Sequence, residues 1–218
     1  MKISDALRQK ADYIWQRILN HPFVIELYQG TLPIEKFKFY VLQDYNYLVG
    51  LTRTLTIIAS KSDFDLMRKV LKLAQEEANS ELANYERLLE ELELTIEDAI
   101  KEEPSPTNYA YMNFMNLTAF LGTPYEGLAA ITPCFWSYME IARHHEKLLE
   151  TNENSLYVNW AKAYLFNKEY AELVEDLKEL LNKASEAEFH RLGGVFERAS
   201  KYEYMFWDMA YRMERWPI

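Results

Sequence analysis

Residues 127–142 read Gly-Leu-Ala-Ala-Ile-Thr-Pro-Cys-Phe-Trp-Ser-Tyr-Met-Glu-Ile-Ala, and this stretch decides the fold. It leaves no room for a polar face, and residues 109–121 upstream have the same character. A helix that is apolar all round lies at the centre of a bundle. Pro133 removes one backbone donor, and its ring clashes with the carbonyl of Ala129. The sequence therefore predicts a central, kinked helix with Cys134 beside the kink.

Helical periodicity extends outward from this centre in both directions. Thr123-Pro124-Tyr125-Glu126 is a capping box with proline at the first helical position, so the central helix is predicted over residues 123–149. The other predicted helices cover approximately residues 4–20, a short segment ending at Gly30, 33–60, 63–94, 107–121, 156–166, 168–183 and 185–213. Residues 95–106 are the only predicted loop of any length. We therefore predict one all-α domain over residues 1–218, a bundle of about eight helices.

The composition supports long helices and excludes several classes of protein. Only 6 Gly and 7 Pro occur in 218 residues, whereas 16 Tyr, 11 Phe and 5 Trp supply a large core. The net charge of −10 argues against nucleic acid and anionic membranes as partners. No stretch of 18 apolar residues and no signal sequence is found, so we expect a cytoplasmic protein without a membrane span.

Two acidic residues occupy positions where apolar side chains are expected. Asp44 lies on the same helical stripe as Tyr40 and Tyr47, and Glu203 lies on the apolar stripe of the last helix. Each acid alone is most simply explained as a buried carboxyl bonded to a Tyr, Trp or Arg neighbour, because an unpartnered one is costly. Two such acids and a thiol on a third helix indicate instead a site in the bundle core.

Cys134 is the only cysteine in the chain, so neither an internal disulfide nor a multi-cysteine metal site can form. A free cysteine is often just a small buried hydrophobe. His144 and His145 begin 10 residues further on, about 15 Å along the same helix, and cannot activate the thiol. His21 and His190 remain possible, but a carboxylate is the more available acid–base partner.

The sequence gives little support for a metal or cofactor. Helical di-iron sites use Glu-x-x-His pairs, and no histidine here has a glutamate three positions before it. The acidic pairs at 76–77, 90–91 and 102–103 are interpreted as solvated faces, and Glu77 with Glu81 is the one pair kept as a candidate. We expect no metal and no cofactor.

Several tyrosines follow apolar stripes, where core packing is the commoner role. These are Tyr47, Tyr111, Tyr138 and Tyr164. Tyr138 follows Cys134 by four residues and therefore shares its helical face.

Four blocks of sequence, in this order along the chain, resemble the TenA/thiaminase-2 family of aminopyrimidine aminohydrolases. Residues 41–47 read Val-Leu-Gln-Asp-Tyr-Asn-Tyr, and residues 106–111 read Pro-Thr-Asn-Tyr-Ala-Tyr. Residues 132–138 read Thr-Pro-Cys-Phe-Trp-Ser-Tyr, and residues 202–210 read Tyr-Glu-Tyr-Met-Phe-Trp-Asp-Met-Ala. The Pro-Cys-x-Trp-x-Tyr and Tyr-Glu-x-x-Phe-Trp patterns are the more specific ones.

The resemblance implies a haem-oxygenase-like bundle that binds no haem, a homotetramer and a role in thiamin salvage. It implies that Cys134 is the nucleophile and Glu203 the main acid–base residue. It also implies that Asp44 bonds the amino and ring-nitrogen edge of an aminopyrimidine. Tyr47, Tyr111 and Tyr164 would line the pocket, with Tyr138 close to the thiol.

Two other interpretations stay open at this point. The chain could be a binding or regulatory module that holds an aminopyrimidine or its phosphate without turnover. It could also be a metal oxidase of the related haem-oxygenase-like group, although the missing Glu-x-x-His pairs count against that class.

Overall fold

The computed structural model describes residues 1–78 and 82–218, except for the side chains of residues 82–84. Within these residues the chain is helical and contains no strand. The first seven helices are α1 (Ile3–Lys10), α2 (Asp12–Leu19), α3 (Pro22–Gln29), α4 (Ile34–Lys61), α5 (Phe64–Glu76), α6 (Leu82–Glu91) and α7 (Ile96–Lys101). The others are α8 (Pro106–Leu121), α9 (Pro124–His144), α10 (Glu146–Leu149), α11 (Ser155–Leu165), α12 (Lys168–Leu181) and α13 (Phe189–Arg212), which a 3₁₀ turn at Glu186–Glu188 precedes.

The all-α prediction is confirmed, but the predicted number of helices is wrong: the described residues form thirteen α-helices rather than about eight. Two of the extra breaks are made by single residues outside the helical region. Ala11, with φ −88° and ψ 3°, separates α1 from α2, and His145, with φ −103° and ψ 12°, separates α9 from α10. Such a break barely disturbs the spacing of apolar residues, so the periodicity of the sequence does not reveal it.

The predicted loop at 95–106 contains a further helix, α7. The Thr95 hydroxyl accepts from the Asp98 backbone N–H at 3.2 Å, and the Asp98 carboxylate accepts from the Thr95 N–H at 2.8 Å. This reciprocal capping stabilises a six-residue helix that is too short to show a clear apolar period.

The predicted capping box at the start of α9 is confirmed. The Thr123 hydroxyl accepts from the Glu126 N–H at 3.2 Å, and the Glu126 carboxylate accepts from the Thr123 N–H at 2.8 Å. Two backbone groups that the helix cannot satisfy are thereby bonded.

Helix α9 is the central element, as its apolar sequence predicts. It packs against α2, α4, α8, α11, α12 and α13. Residues 128–131 are completely buried, and Pro133 lies inside the helix as predicted. At Gly127 an added Cβ would lie 2.5 Å from a side-chain carbon of Ile58 on α4, so the absence of a side chain lets the two helices approach. This packing brings the middle of α9 close to α4 and α13.

No helix in the described residues is long and apolar enough to cross a membrane.

Candidate active site

An open cavity in the bundle is bordered by α4, α9, α11, α12 and the end of α5. Its empty space measures about 380 Å³, including the mouth, which is in the size range of small-molecule sites. The wall consists of aromatic and aliphatic side chains with a few polar groups: Tyr40, Asp44, Tyr47, Leu48, Leu51, Glu77, Cys134, Phe135, Tyr138, Tyr164 and Tyr170.

Cys134 lies in this wall, at the middle of α9, and is partly exposed. The surrounding protein buries the thiol, and this burial is the main reason why its pKa lies well above the usual value. The charge of Glu203 raises the pKa further. Hydrogen bonding with Tyr47 acts in the opposite direction and lowers this pKa. The resting group is therefore the neutral thiol, which must give up its proton to react.

Glu203 on α13 is 3% exposed. Burial raises the pKa of its carboxyl to about 7, although the hydrogen bonds from Tyr111 and Ser137 favour the ionised form and lower it. The Tyr111 hydroxyl donates to Oε1 at 2.6 Å, and the Ser137 hydroxyl lies 3.2 Å from Oε2. A group that titrates near neutral pH can both release and accept a proton, as general acid–base catalysis requires.

Ser137 is a site residue that the sequence interpretation missed. It is completely buried, and its hydroxyl lies 3.3 Å from the backbone carbonyl oxygen of Cys134 as well as near Glu203. The signal was its position three residues after Cys134 in an otherwise apolar run, which places both on one face of α9.

Tyrosine rings form one side of the cavity. The hydroxyls of Tyr40 and Tyr138 are 2.9 Å apart, and the ring centroids of Tyr138 and Tyr164 are 5.0 Å apart. The Tyr170 hydroxyl donates to the carbonyl oxygen of Phe135 at 2.8 Å and so ties α12 to α9. These hydrogen bonds and ring contacts hold the aromatic wall in place. Tyr40, Tyr170 and Phe135 were not among the predicted site residues, because sequence alone does not separate them from core aromatics.

The structure brings five of the seven predicted site residues into the cavity wall: Asp44, Tyr47, Cys134, Tyr138 and Tyr164. The other two, Tyr111 and Glu203, are buried beside it and are bonded to each other. Tyr111 also packs against the Tyr47 ring at 5.2 Å. In this structure, therefore, Tyr111 holds the Glu203 carboxyl rather than forming part of the wall.

The histidines considered as partners of Cys134 serve other purposes. His21 caps α3, since its Nδ1 accepts from the Phe23 N–H at 3.1 Å, and its Nε2 lies 3.7 Å from Asp208. His190 is exposed. Neither lies in the cavity wall, whereas the carboxyl groups of Asp44 and Glu77 do.

The interpretation of residues 76–77 as a solvated acidic face is wrong for Glu77. Its side chain is 6% exposed and lies in the cavity wall. Glu81, its proposed partner, lies outside the described residues. In the part of the chain that is described, no three His, Cys, Asp or Glu side chains are grouped so as to hold a metal ion.

Replacing Tyr111 by phenylalanine should raise the pKa of Glu203. The hydroxyl favours the ionised carboxylate, so its loss favours the protonated form and should move the corresponding inflection of the pH–rate profile upward. The expected shift is on the order of one pH unit, because a hydrogen bond to a charged group contributes about 1.5–3 kcal/mol. The pH dependence of kcat/KM measures it. Tyr157→Phe removes a buried hydroxyl that donates to the Leu32 carbonyl at 2.8 Å and is the matched control. An unchanged inflection in Tyr111→Phe would contradict the assignment.

The fold and the cavity together define a helical bundle with a small-molecule site in its core, beside a thiol and a carboxyl that titrates near neutral pH. The profile of the TENA/THI-4/PQQC family matches residues 8–213. The chain therefore belongs to this family, and the resemblance found in the sequence is confirmed.

Named relatives and solved structures agree with this assignment. An aminopyrimidine aminohydrolase of Helicobacter pylori is 32% identical over 97% of this chain and 100% of its own length. An aminopyrimidine aminohydrolase of Bacillus subtilis is 34% identical over 99% of this chain and 92% of its own length. A solved TenA homologue from P. horikoshii OT3 is 50% identical, covers 97% of this chain and 99% of its own, and superposes with a TM-score of 0.94.

A more distant structure confirms the fold. A Shewanella denitrificans domain described as having a heme oxygenase-like fold superposes with a TM-score of 0.79 at 18% identity, over 96% of this chain and 92% of its own. At that identity the similarity concerns the fold alone.

Proposed function

We propose that the chain is an aminopyrimidine aminohydrolase of thiamin salvage that works through a covalent intermediate on Cys134. The names of the relatives at 32% and 34% identity support the reaction class. The observation that supports the mechanism is the arrangement of the thiol and a carboxyl around the cavity. The thiol lies in the cavity wall, and Ser137 connects its helix to a buried carboxyl whose pKa is about 7.

The reaction begins with a bond between the Cys134 sulfur and C6 of the pyrimidine ring. Glu203 supplies a proton to a ring nitrogen, which takes the electron pair displaced by the new bond. The Glu203 carboxylate that results takes the proton that the thiol gives up. The ring becomes an enamine, whose electrons expel the amine from the C5 methylene. Water adds to that methylene, the sulfur departs and the ring regains its unsaturation. One difficult displacement is divided into easier steps, and the net change is amine and water to alcohol and ammonia.

Asp44 and the rings orient the substrate in this proposal. A carboxylate can accept hydrogen bonds from an exocyclic amino group and a protonated ring nitrogen on one edge of an aminopyrimidine. Tyr47 and Tyr164 present rings to the same cavity and can pack on a flat heterocycle. Fixing the ring in this way keeps C6 next to the thiol, where orientation contributes to rate.

The test is turnover of 4-amino-5-aminomethyl-2-methylpyrimidine by the purified chain. We expect ammonia and the hydroxymethylpyrimidine in equal amounts. Intact-mass measurement during turnover should also detect a covalent adduct on the only cysteine in the chain. Saturable binding without product or adduct would contradict the proposal and favour the alternative, a non-catalytic protein that holds an aminopyrimidine or its phosphate.

The homotetrameric assembly and the cytoplasmic location stay predictions from the resemblance. Light scattering after gel filtration of the purified chain tests the first.

A further inference from the structure

Glu77 is a buried acid in the cavity wall to which the reaction described above gives no role. It lies directly after α5, with φ −57° and ψ −52°, and its side chain is 6% exposed. Its place in the cavity wall makes its carboxyl available to a molecule bound there.

The described wall of this cavity holds acids and no basic side chain, whereas Arg87 and Arg53 line the two adjoining cavities. Among the described residues in its wall, Asp44 and Glu77 are acids, and none is Lys, Arg or His. Glu203 is a third carboxyl beside the cavity. In a partly buried site, charges act over short distances with little screening. Such a cavity attracts a cationic ligand and repels an anionic one.

The two acids in the wall border different neighbouring cavities. Asp44 also borders a neighbouring cavity that Asn159 and Trp160 of α11 help to line. Glu77 also borders another, on the α4 and α5 side, which Val49 and Thr52 help to line. A small ring between them can therefore present one edge to Asp44 and a substituent to Glu77.

Glu77 is also close enough to Cys134 for its charge to favour the neutral thiol. In the proposed reaction the sulfur attacks C6, and the leaving amine sits on the methylene of the adjacent ring atom, C5. A charge that acts on the sulfur therefore acts on the leaving group as well. An aliphatic amine carries a proton at neutral pH and is the cationic part of such a substrate.

We propose that Glu77 is a specificity-determining residue that binds the positively charged leaving group on the C5 methylene. This inference rests on the proposed function. It assigns the cavity to substrates with a cationic substituent, in preference to neutral amides or phosphate esters of the same pyrimidine. Glu77 exchanges no proton in this role. The enamine electrons break the carbon–nitrogen bond, its electron pair stays on nitrogen, and the ammonium group departs as neutral ammonia.

The experiment compares Glu77→Gln with wild type on two substrates that share the pyrimidine ring and carry a charged or a neutral substituent on the C5 methylene. One is the aminomethyl-aminopyrimidine, and the other is its N-formyl derivative, whose amide nitrogen is neutral. We expect kcat/KM for the cationic substrate to fall by about 10- to 100-fold and that for the neutral one to change less than about 3-fold. Glu76→Gln is the matched control, because Glu76 is a partly exposed neighbouring acid paired with Lys72 at 3.4 Å, and it should leave both values unchanged.

An equal loss on both substrates would overturn the proposal, since it would show a general effect on the site. No loss on either would overturn it too. Glu77→Asp keeps the charge and should keep the preference for the cation. It serves as the second variant if Glu77→Gln does not fold, as judged by its thermal transition.

Calorimetric titration of both compounds separates this inference from the proposed function. If wild type turns over neither compound, the proposed function fails. The titration still tests Glu77, because the variant should then weaken binding of the cationic compound alone. Equal affinities of wild type and Glu77→Gln for the cationic compound would reject the assignment.

Discussion

Replacing Cys134 by serine should reduce kcat by about 10³-fold or more, while the dissociation constant of the aminopyrimidine stays within a few-fold of wild type. A hydroxyl is a far weaker nucleophile than a thiol, and no other cysteine exists to replace it. Binding should persist because the wall consists mainly of tyrosines, Asp44 and aliphatic residues that the change does not touch. Ammonia release under saturating substrate measures the first quantity, and calorimetric titration measures the second.

Intact mass separates this chemical role from a structural one. Wild type mixed with substrate should show a transient increase in mass, and Cys134→Ser should show none. Cys134→Ala is a useful companion, because it removes the heteroatom and should be equally inactive with similar binding. More than about a tenth of wild-type activity in either variant would rule out the thiol as nucleophile.

Replacing Glu203 by glutamine is expected to lower kcat/KM by about 10²- to 10⁴-fold, the range for loss of a general acid or base. The amide fills the same space and keeps one oxygen that Tyr111 or Ser137 can bond, but it cannot transfer a proton. In wild type, the rate of the step that needs the protonated carboxyl should fall as the pH rises through about 7. The variant should lack this inflection in its pH–rate profile.

Stability provides a second readout for this substitution. The pKa of Glu203 is about 7 in the folded chain and near 4.5 ordinarily, so the unfolded chain releases the proton first as the pH rises. Wild type therefore loses stability between about pH 4.5 and 7, by at most about 3 kcal/mol, and Glu203→Gln does not. The variant should be as stable as wild type at pH 4 and more stable at pH 8 in chemical unfolding.

Glu197→Gln is the matched control on the same helix, since Glu197 pairs with Lys201 at 2.9 Å on the outer side of α13. It should change neither the rate nor the pH profile. A Glu203→Gln enzyme with a wild-type rate, or with the inflection preserved, would contradict the acid–base role.

Much of the fold could be predicted from local patterns. The Thr123 capping box and the apolar run of residues 127–142 are complete in a short stretch of chain, and both have the predicted form. The divisions at Ala11 and His145 could not be predicted in this way. They are single-residue departures in φ and ψ, and the ring of His145 bonds the carbonyl oxygen of Leu19, far away in sequence.

The candidate site divides in a similar way. Cys134, Glu203 and Asp44 stand out because polar groups on apolar stripes contradict the pattern around them, and motif resemblance connects them. Ser137 and Glu77 carried no such contradiction. A serine in an apolar helix and a glutamate in an acidic pair have ordinary explanations. Only their neighbours from other helices show that Ser137 and Glu77 belong to the site.

By itself the amino-acid sequence determined the helical class, the central position of α9 and the residue types available for chemistry, because these depend on side chains a few positions apart. Only the tertiary structure decided which carboxyl is protonated near neutral pH. It also decided that Tyr111 bonds Glu203 instead of lining the cavity, and that Glu77 lies in the wall of the cavity beside Cys134. Burial and hydrogen bonding set these properties, and both come from residues that are distant in sequence, such as Tyr111 and Glu203.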